Sequence, residues 1–151
     1  MIAKRIALAK LDNDPTIGKK LAESLETSVF ESAEILERLC LMSGGHIRLF
    51  MKMIQKAMDH TDDLPISKRA VNRAIADAKD EYLDAIYETQ WTILRTVDHS
   101  HQILNEQDNR DYQRLLASRC LLEYRYRDED ENLKRWYVVH PLVKEMEKFK
   151  E

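Results

Sequence analysis

The stretch Leu121–Val143, LLEYRYRDEDENLKRWYVVHPLV, decides the fold. Leu122, Tyr124 and Tyr126 alternate with Glu123, Arg125 and Arg127, which is the period of a strand. Asp128 to Leu133 is a polar tip. Arg135 to His140 is aromatic and β-branched, so it predicts a second strand, and the two strands read as an antiparallel hairpin. Pro141 suits the first position of a closing helix with Leu142, Val143, Met146 and Phe149 facing inward. Trp91, Tyr124, Tyr126 and Trp136 are expected in the core between hairpin and helices, where aromatic rings bury much area, with Tyr137 facing out.

Working back from the hairpin, the apolar period becomes helical. Tyr112, Leu115, Leu116 and Arg119 mark one helix, and His99 to Asp108 is a polar connector. Trp91, Ile93, Leu94 and Val97 mark a helix that runs to about Asp98. Lys68 to about Glu88 is a long helical region, bending near Asp80, with Val71, Ala74, Ile75, Ala78, Tyr82, Leu83 and Ile86 as its inner stripe. Three helices, a hairpin and a last helix make a winged-helix arrangement.

The segment before it reads as an all-helical bundle. Ile2–Leu11 is a short helix stopped at Asn13, Asp14 and Pro15. Thr16–Leu25 is a second short helix or a loop. Ser28 and Glu31 fit a capping box, followed by a stripe at Ile35, Leu36, Leu39, Cys40 and Met42. Gly44 ends that helix in the left-handed region. Gly45 and His46 open the next, with Ile47, Phe50, Met51, Ile54 and Met58 at helical spacing. Met51, Met53 and Met58 read as core filling. Leu64–Ser67 is a connector in which Ser67 serves as an N-cap. The fold class is mainly α, with a bundle at 1–66, whose last helix extends to about residue 80, and a winged helix at 67–151.

Composition agrees. The chain has 151 residues, 44% hydrophobic and 34% charged, so it has a core to bury and is not generally disordered. Only three glycines and three prolines occur, which favours helices over a turn-rich β fold. Gly18, Gly44 and Gly45 cannot write a P-loop or a dinucleotide fingerprint, which need glycines at fixed spacings inside one loop. Net charge is −3, and both halves are near balance: 9 basic and 10 acidic side chains up to residue 66, 15 and 17 beyond. Neither half is a basic body that binds nucleic acid by charge alone. Cys40 and Cys120 form no metal or redox motif and read as buried free thiols. No apolar run resembles a secretory signal or a membrane span, so a soluble, cytoplasmic chain is expected.

Ser43–Arg48, SGGHIR, is the most specific local feature. Two glycines let one helix stop and the next begin at a sharp angle. The second helix then presents unpaired N–H groups that favour an anion. Arg48 stands in its first turn, where a cation is mildly unfavourable unless an anion is near. Its planar fork suits phosphate.

SGGHIRLFMKMIQKAM resembles the second-sensor helix of AAA+ ATPases, in particular their origin-recognition-like and STAND-like branches. The connector LPIS and the helix RAVNRAIADAKDEY are similar to the end of the lid bundle there. The hairpin ending in YVVHPLV resembles their winged-helix wing. The resemblance covers about Phe30 to Val143. It implies an AAA+-type lid followed by a winged helix, with Gly44, Gly45 and Arg48 facing the γ-phosphate of ATP. The Walker A and Walker B motifs of that family are missing. The resemblance therefore implies no hydrolysis by this chain alone, ATP with Mg²⁺ on a separate or upstream core, and that core as a partner in cis or in trans.

Winged helices also bind DNA. Candidate contacts are Arg110 and Arg114 on the third helix of the wing region and Arg125, Arg127, Lys134 and Arg135 on the hairpin. Four carboxylates, Asp128 to Glu131, stand at its tip and would be repelled by phosphate, so contact with other proteins is the better expectation. His46, His60, His99, His101 and His140 supply no ligand set at metal spacing, and His140 reads as a cap. No Ser or Cys sits in a nucleophile motif.

Three readings remain, separable by their surfaces. A sensing lid needs an exposed apolar face within the first 60 residues where an ATPase core sits. A free-standing DNA-binding regulator needs a continuous basic surface across the wing. A structural adaptor needs neither an anion site nor a basic stripe.

Overall fold

The computed structural model of the chain describes residues 28–103 and 110–151. The helices expected within the first 27 residues lie outside these, as does the later part of the polar connector expected from His99 to Asp108. In chain order come α1 (Ala33–Met42), α2 (Ile47–Asp59), α3 (Lys68–Leu83), α4 (Gln90–Ser100) and α5 (Arg110–Ala117). The hairpin β1 (Leu121–Arg127) and β2 (Leu133–Val139) follows, then α6 (Pro141–Lys144) and α7 (Glu147–Lys150). The described chain is mainly helical with a small antiparallel sheet.

Buried side chains gather in two clusters. The first is built by Phe30, Ile35, Leu39, Met53, Ala57, Ile66 and the inner face of α3, closed by Leu142. The second is built by Trp91, Leu94, Val97, Tyr112, Leu115, Leu121, Tyr137, Val139 and Val143. Tyr82 touches both. The C-terminal segment thus sends Leu142 into one core and the next residue, Val143, into the other.

Several local signals act as their chemistry dictates. Ser67 Oγ accepts from the Ala70 amide at 3.2 Å. His140 precedes Pro141 at the start of α6, and its Nδ1 accepts from the Leu142 amide at 3.2 Å. Gly44 takes φ +60° and Gly45 φ +76°. The Ser28–Glu31 capping box does not form at α1, whose N-cap is Ser32. Glu31 instead reaches across to the start of α3, where its carboxylate accepts from the Lys68 amide at 2.9 Å. A parallel bridge between Phe30 and Ile66 holds the two starts together. The long helix stops at Leu83 rather than bending and continuing, and the closing helix is interrupted at Glu145–Met146.

Two apolar stripes face otherwise than expected. On α2, Met53 and Ala57 are buried, whereas Ile47, Met51 and Met58 stand in solvent. The helix is apolar on two sides, and its contact with α3 selects one of them. On the hairpin, Leu121 pairs with Val139 and Glu123 with Tyr137, and Leu121, Tyr137 and Val139 face the core. Tyr124, Trp136 and Tyr126 lie on the opposite, exposed face. Buried Leu121 sets the phase one residue away from the Leu122–Tyr124–Tyr126 alternation, which moves every aromatic to the other side. Cys120 is buried as expected, but Cys40 is exposed.

Candidate functional site

The diglycine turn lies at the junction of the two cores. Its left-handed backbone lets α1 end and α2 start within a few residues. His46 closes the new helix, its Nδ1 accepting from the Leu49 amide at 3.1 Å, which leaves the neutral ring's proton on Nε2. Gly44 packs against Leu122 of β1 and the ring of His140. Arg48, in the first turn of α2, is exposed and has no hydrogen bond or ion pair among the described residues.

Arg48 borders a cleft of 330 Å³ between α2, the end of α3 and the corner from α5 to β1. His46, Lys52, Glu81, Tyr82, Ser118 and Arg119 also line it. Glu81 is held by two ammonium groups, with Lys52 Nζ at 2.7 Å and Lys56 Nζ at 2.8 Å. Hydrogen bonds from these lysines keep its carboxyl below the usual carboxylate range. Arg119 takes φ +59° and, like Arg48, has no ion pair among the described residues. Beneath the cleft, burial chiefly pushes the Tyr82 hydroxyl up to about 12, keeping it neutral.

His140 forms the wall behind Gly44. It is fully buried and stacks on Tyr82 with ring centroids 4.6 Å apart. Its Nε2 has no hydrogen-bond partner among the described residues. Burial holds its pKa down to about 4; the nearby Ser43 backbone opposes this, and His46 adds to it. At neutral pH the ring is uncharged.

Of the six candidate DNA-contacting cations, Arg125, Arg127 and Arg135 share one face of the hairpin, and several of the six are engaged by neighbouring groups. Arg114 lies over the Tyr87 ring at 3.8 Å and donates to its hydroxyl. Arg125 is bonded to Glu123. Arg127 donates to the Glu131 carbonyl at 2.8 Å. Lys134 pairs with Asp128 at 3.4 Å. Arg135 stands opposite Arg125 in the hairpin, and Arg110 is exposed at the start of α5. Backbone N–H groups, that of Asn132 foremost, hold the Asp128 carboxyl below its ordinary range, so the tip stays anionic.

Sequence reasoning placed Gly44, Gly45 and Arg48 in one turn but set Arg119 on the helix with Tyr112 and Leu115, whereas α5 ends at Ala117 and Arg119 lies past it, at the cleft. An arginine after a helix carries no pattern that shows where the chain folds back. Gln90 was also missed: it is buried, accepts from the Tyr87 amide at 3.0 Å and donates to Asp111 at 2.8 Å, tying α4 to α5. No group of three or more His, Cys, Asp or Glu among the described residues could hold a metal ion. No helix of the described residues is long and apolar enough to cross a membrane. Compared with known protein families, with curated proteins and with solved structures, the chain matches none.

Proposed function

We propose that the chain is the non-catalytic regulatory portion of an AAA+/STAND-type ATPase, a lid bundle followed by a winged helix. In this reading Arg48 senses the terminal phosphate of ATP held with Mg²⁺ on a core in cis or in trans. Nucleotide state then passes through the lid to the winged region by way of the diglycine turn, Tyr82 and His140. The observation that carries the reading is Arg48 itself: a solvent-facing guanidinium in the first turn of a helix, with no acidic partner among the described residues. The helix start is already positive, so the group is best satisfied by an anion from outside.

A second observation favours a core as the partner. Leu41, Ile47, Met51 and Met58 are large, apolar and exposed within the first 60 residues, although Tyr124, Tyr126, Leu133 and Trp136 of the hairpin are exposed as well. Their exposure supports the sensing reading, which looks for an apolar face in this part of the chain. The DNA-binding reading draws less support, because at least four of its six candidate cations, Arg114, Arg125, Arg127 and Lys134 among them, are engaged within the chain. Cytoplasmic residence belongs to the same proposal.

The test starts at the reading frame. A Walker-type loop encoded in frame upstream, or in an adjoining gene, supplies the core. ATP turnover by that core together with this chain is then compared for Arg48 and Arg48→Ala. Loss of a charged hydrogen bond worth about 1.5–3 kcal/mol predicts a fall of about tenfold or more. Unchanged turnover overturns the reading.

A further inference from the structure

We propose that the cleft between α2 and the corner from α5 to β1 is a two-armed site for a polyphosphate anion, with Arg48 as one arm and Arg119 as the other. The inference rests on the sensor reading for Arg48 and adds the opposing arm. Three cationic side chains line the cleft, Arg48, Lys52 and Arg119, against one carboxylate, Glu81. That carboxylate is already taken by Lys52 and Lys56. The two exposed guanidinium groups therefore border one open cleft whose single carboxylate is already engaged by lysines. An anion with two or more negative charges can engage both arms at once, which a single charge cannot do as well.

The size and lining fit a polyphosphate. A volume of 330 Å³ holds a diphosphate with room to spare. His46, with its proton on Nε2, lines the same space and offers a further donor. Arg119 occupies the place just past a helix end where glycine is the usual residue, since φ +59° costs a side chain about 1 kcal/mol. The arginine there supplies a charge at the cleft that glycine would not.

The two arms belong to different halves of the chain. Arg48 stands on the helix that feeds the first core, and Arg119 on the corner that enters the second. An anion held by both draws the halves together over Tyr82, which touches both cores. Binding is then coupled to the relative position of bundle and hairpin.

The experiment is calorimetric titration of the whole chain with inorganic pyrophosphate at low salt, with adenosine as the uncharged arm and ADP as the nucleotide arm. Pyrophosphate and ADP should bind saturably at one site, and adenosine should not. Arg48→Gln and Arg119→Gly should each weaken pyrophosphate at least about fivefold. Arg119→Gly accepts the left-handed backbone, so its fold is not at stake, and a melting curve confirms it. Arg69→Gln, which removes an exposed charge on α3, should leave affinity within about twofold. Absence of saturable binding overturns the site. So does equal weakening by Arg69→Gln, which reports diffuse charge alone. If Arg48→Gln weakens binding and Arg119→Gly does not, the second arm falls and the sensor reading stands. If both weaken pyrophosphate but Arg48→Ala leaves ATP turnover by the core unchanged, the sensor reading falls while the anion site remains.

Discussion

A methyl group placed on Gly44 would lie 2.7 Å from Nε2 of His140. The turn between α1 and α2 therefore touches the residue that ends the hairpin, and the contact leaves no space for a side chain. Gly45, next in the chain, shares the left-handed backbone but has nothing within 4 Å of such a methyl. The two glycines separate backbone strain from packing.

Gly45→Ala should cost only the conformational penalty, about 1–2 kcal/mol. Gly44→Ala carries the same penalty plus overpacking against a buried ring, so a further loss of about 1–3 kcal/mol is expected. Urea unfolding of both variants checks this through the midpoint at constant m. Equal losses would show that the ring moves aside.

His140 gives the fold an acid sensitivity that sets in at higher pH than carboxylate titration. Its pKa is about 4 in the folded chain, against 6.5 when exposed. Between those values the unfolded chain binds a proton that the folded chain refuses. Stability is therefore full above about pH 6.5 and falls as pH drops toward 4, by at most about 1.4 kcal/mol per pH unit. Glu81 and Glu145, both held below the usual carboxylate range, add their losses only at lower pH. His140→Asn keeps a capping acceptor and removes the titration. Its stability should be flatter between pH 6.5 and 4 in denaturant titrations. An unchanged slope would assign the acid sensitivity elsewhere.

Arg114 acts as a brace between the connector before α4 and the helix α5. Its guanidinium covers Tyr87 and donates to the hydroxyl. Arg114→Ala should lower stability by about 0.5–1 kcal/mol without any nucleic acid present. Tyr87→Phe retains the ring and should lose less. A double-mutant cycle between the two positions measures the coupling, and zero coupling would return Arg114 to the surface as a free cation.

The order of elements was legible because each boundary carries its own chemistry. Ser67 caps, Gly44 takes a left-handed turn, Pro141 opens a helix after His140, and the strands alternate. What the sequence leaves undetermined is phase. Leu121 and Leu122 are equally apolar, so the local pattern cannot say which of them faces the core. Closure of the hairpin on α4 and α5 chooses Leu121, and Tyr137 follows it inward. The site divides in the same way. The Gly44–Arg48 turn is contiguous and readable, whereas Arg119 reaches it only through the packing of two cores. The ion pairs that engage Lys134 and Arg125 likewise come from register and neighbours, which composition does not encode.

The methionines of α2 test that lesson about phase. Met53 is fully buried in the first core, whereas Met51 and Met58 are more than half exposed. All three are the same residue on the same helix, so propensity cancels and only location differs. Met53→Ala should cost about 2–5 kcal/mol through lost burial and a residual cavity. Met51→Gln and Met58→Gln should each stay within about 0.5 kcal/mol. Thermal and urea unfolding of the three variants decide it. A large loss at Met51 or Met58 would mean that another part of the chain covers this face in solution. In that case the exposed apolar surface that favours a docked ATPase core would disappear with it.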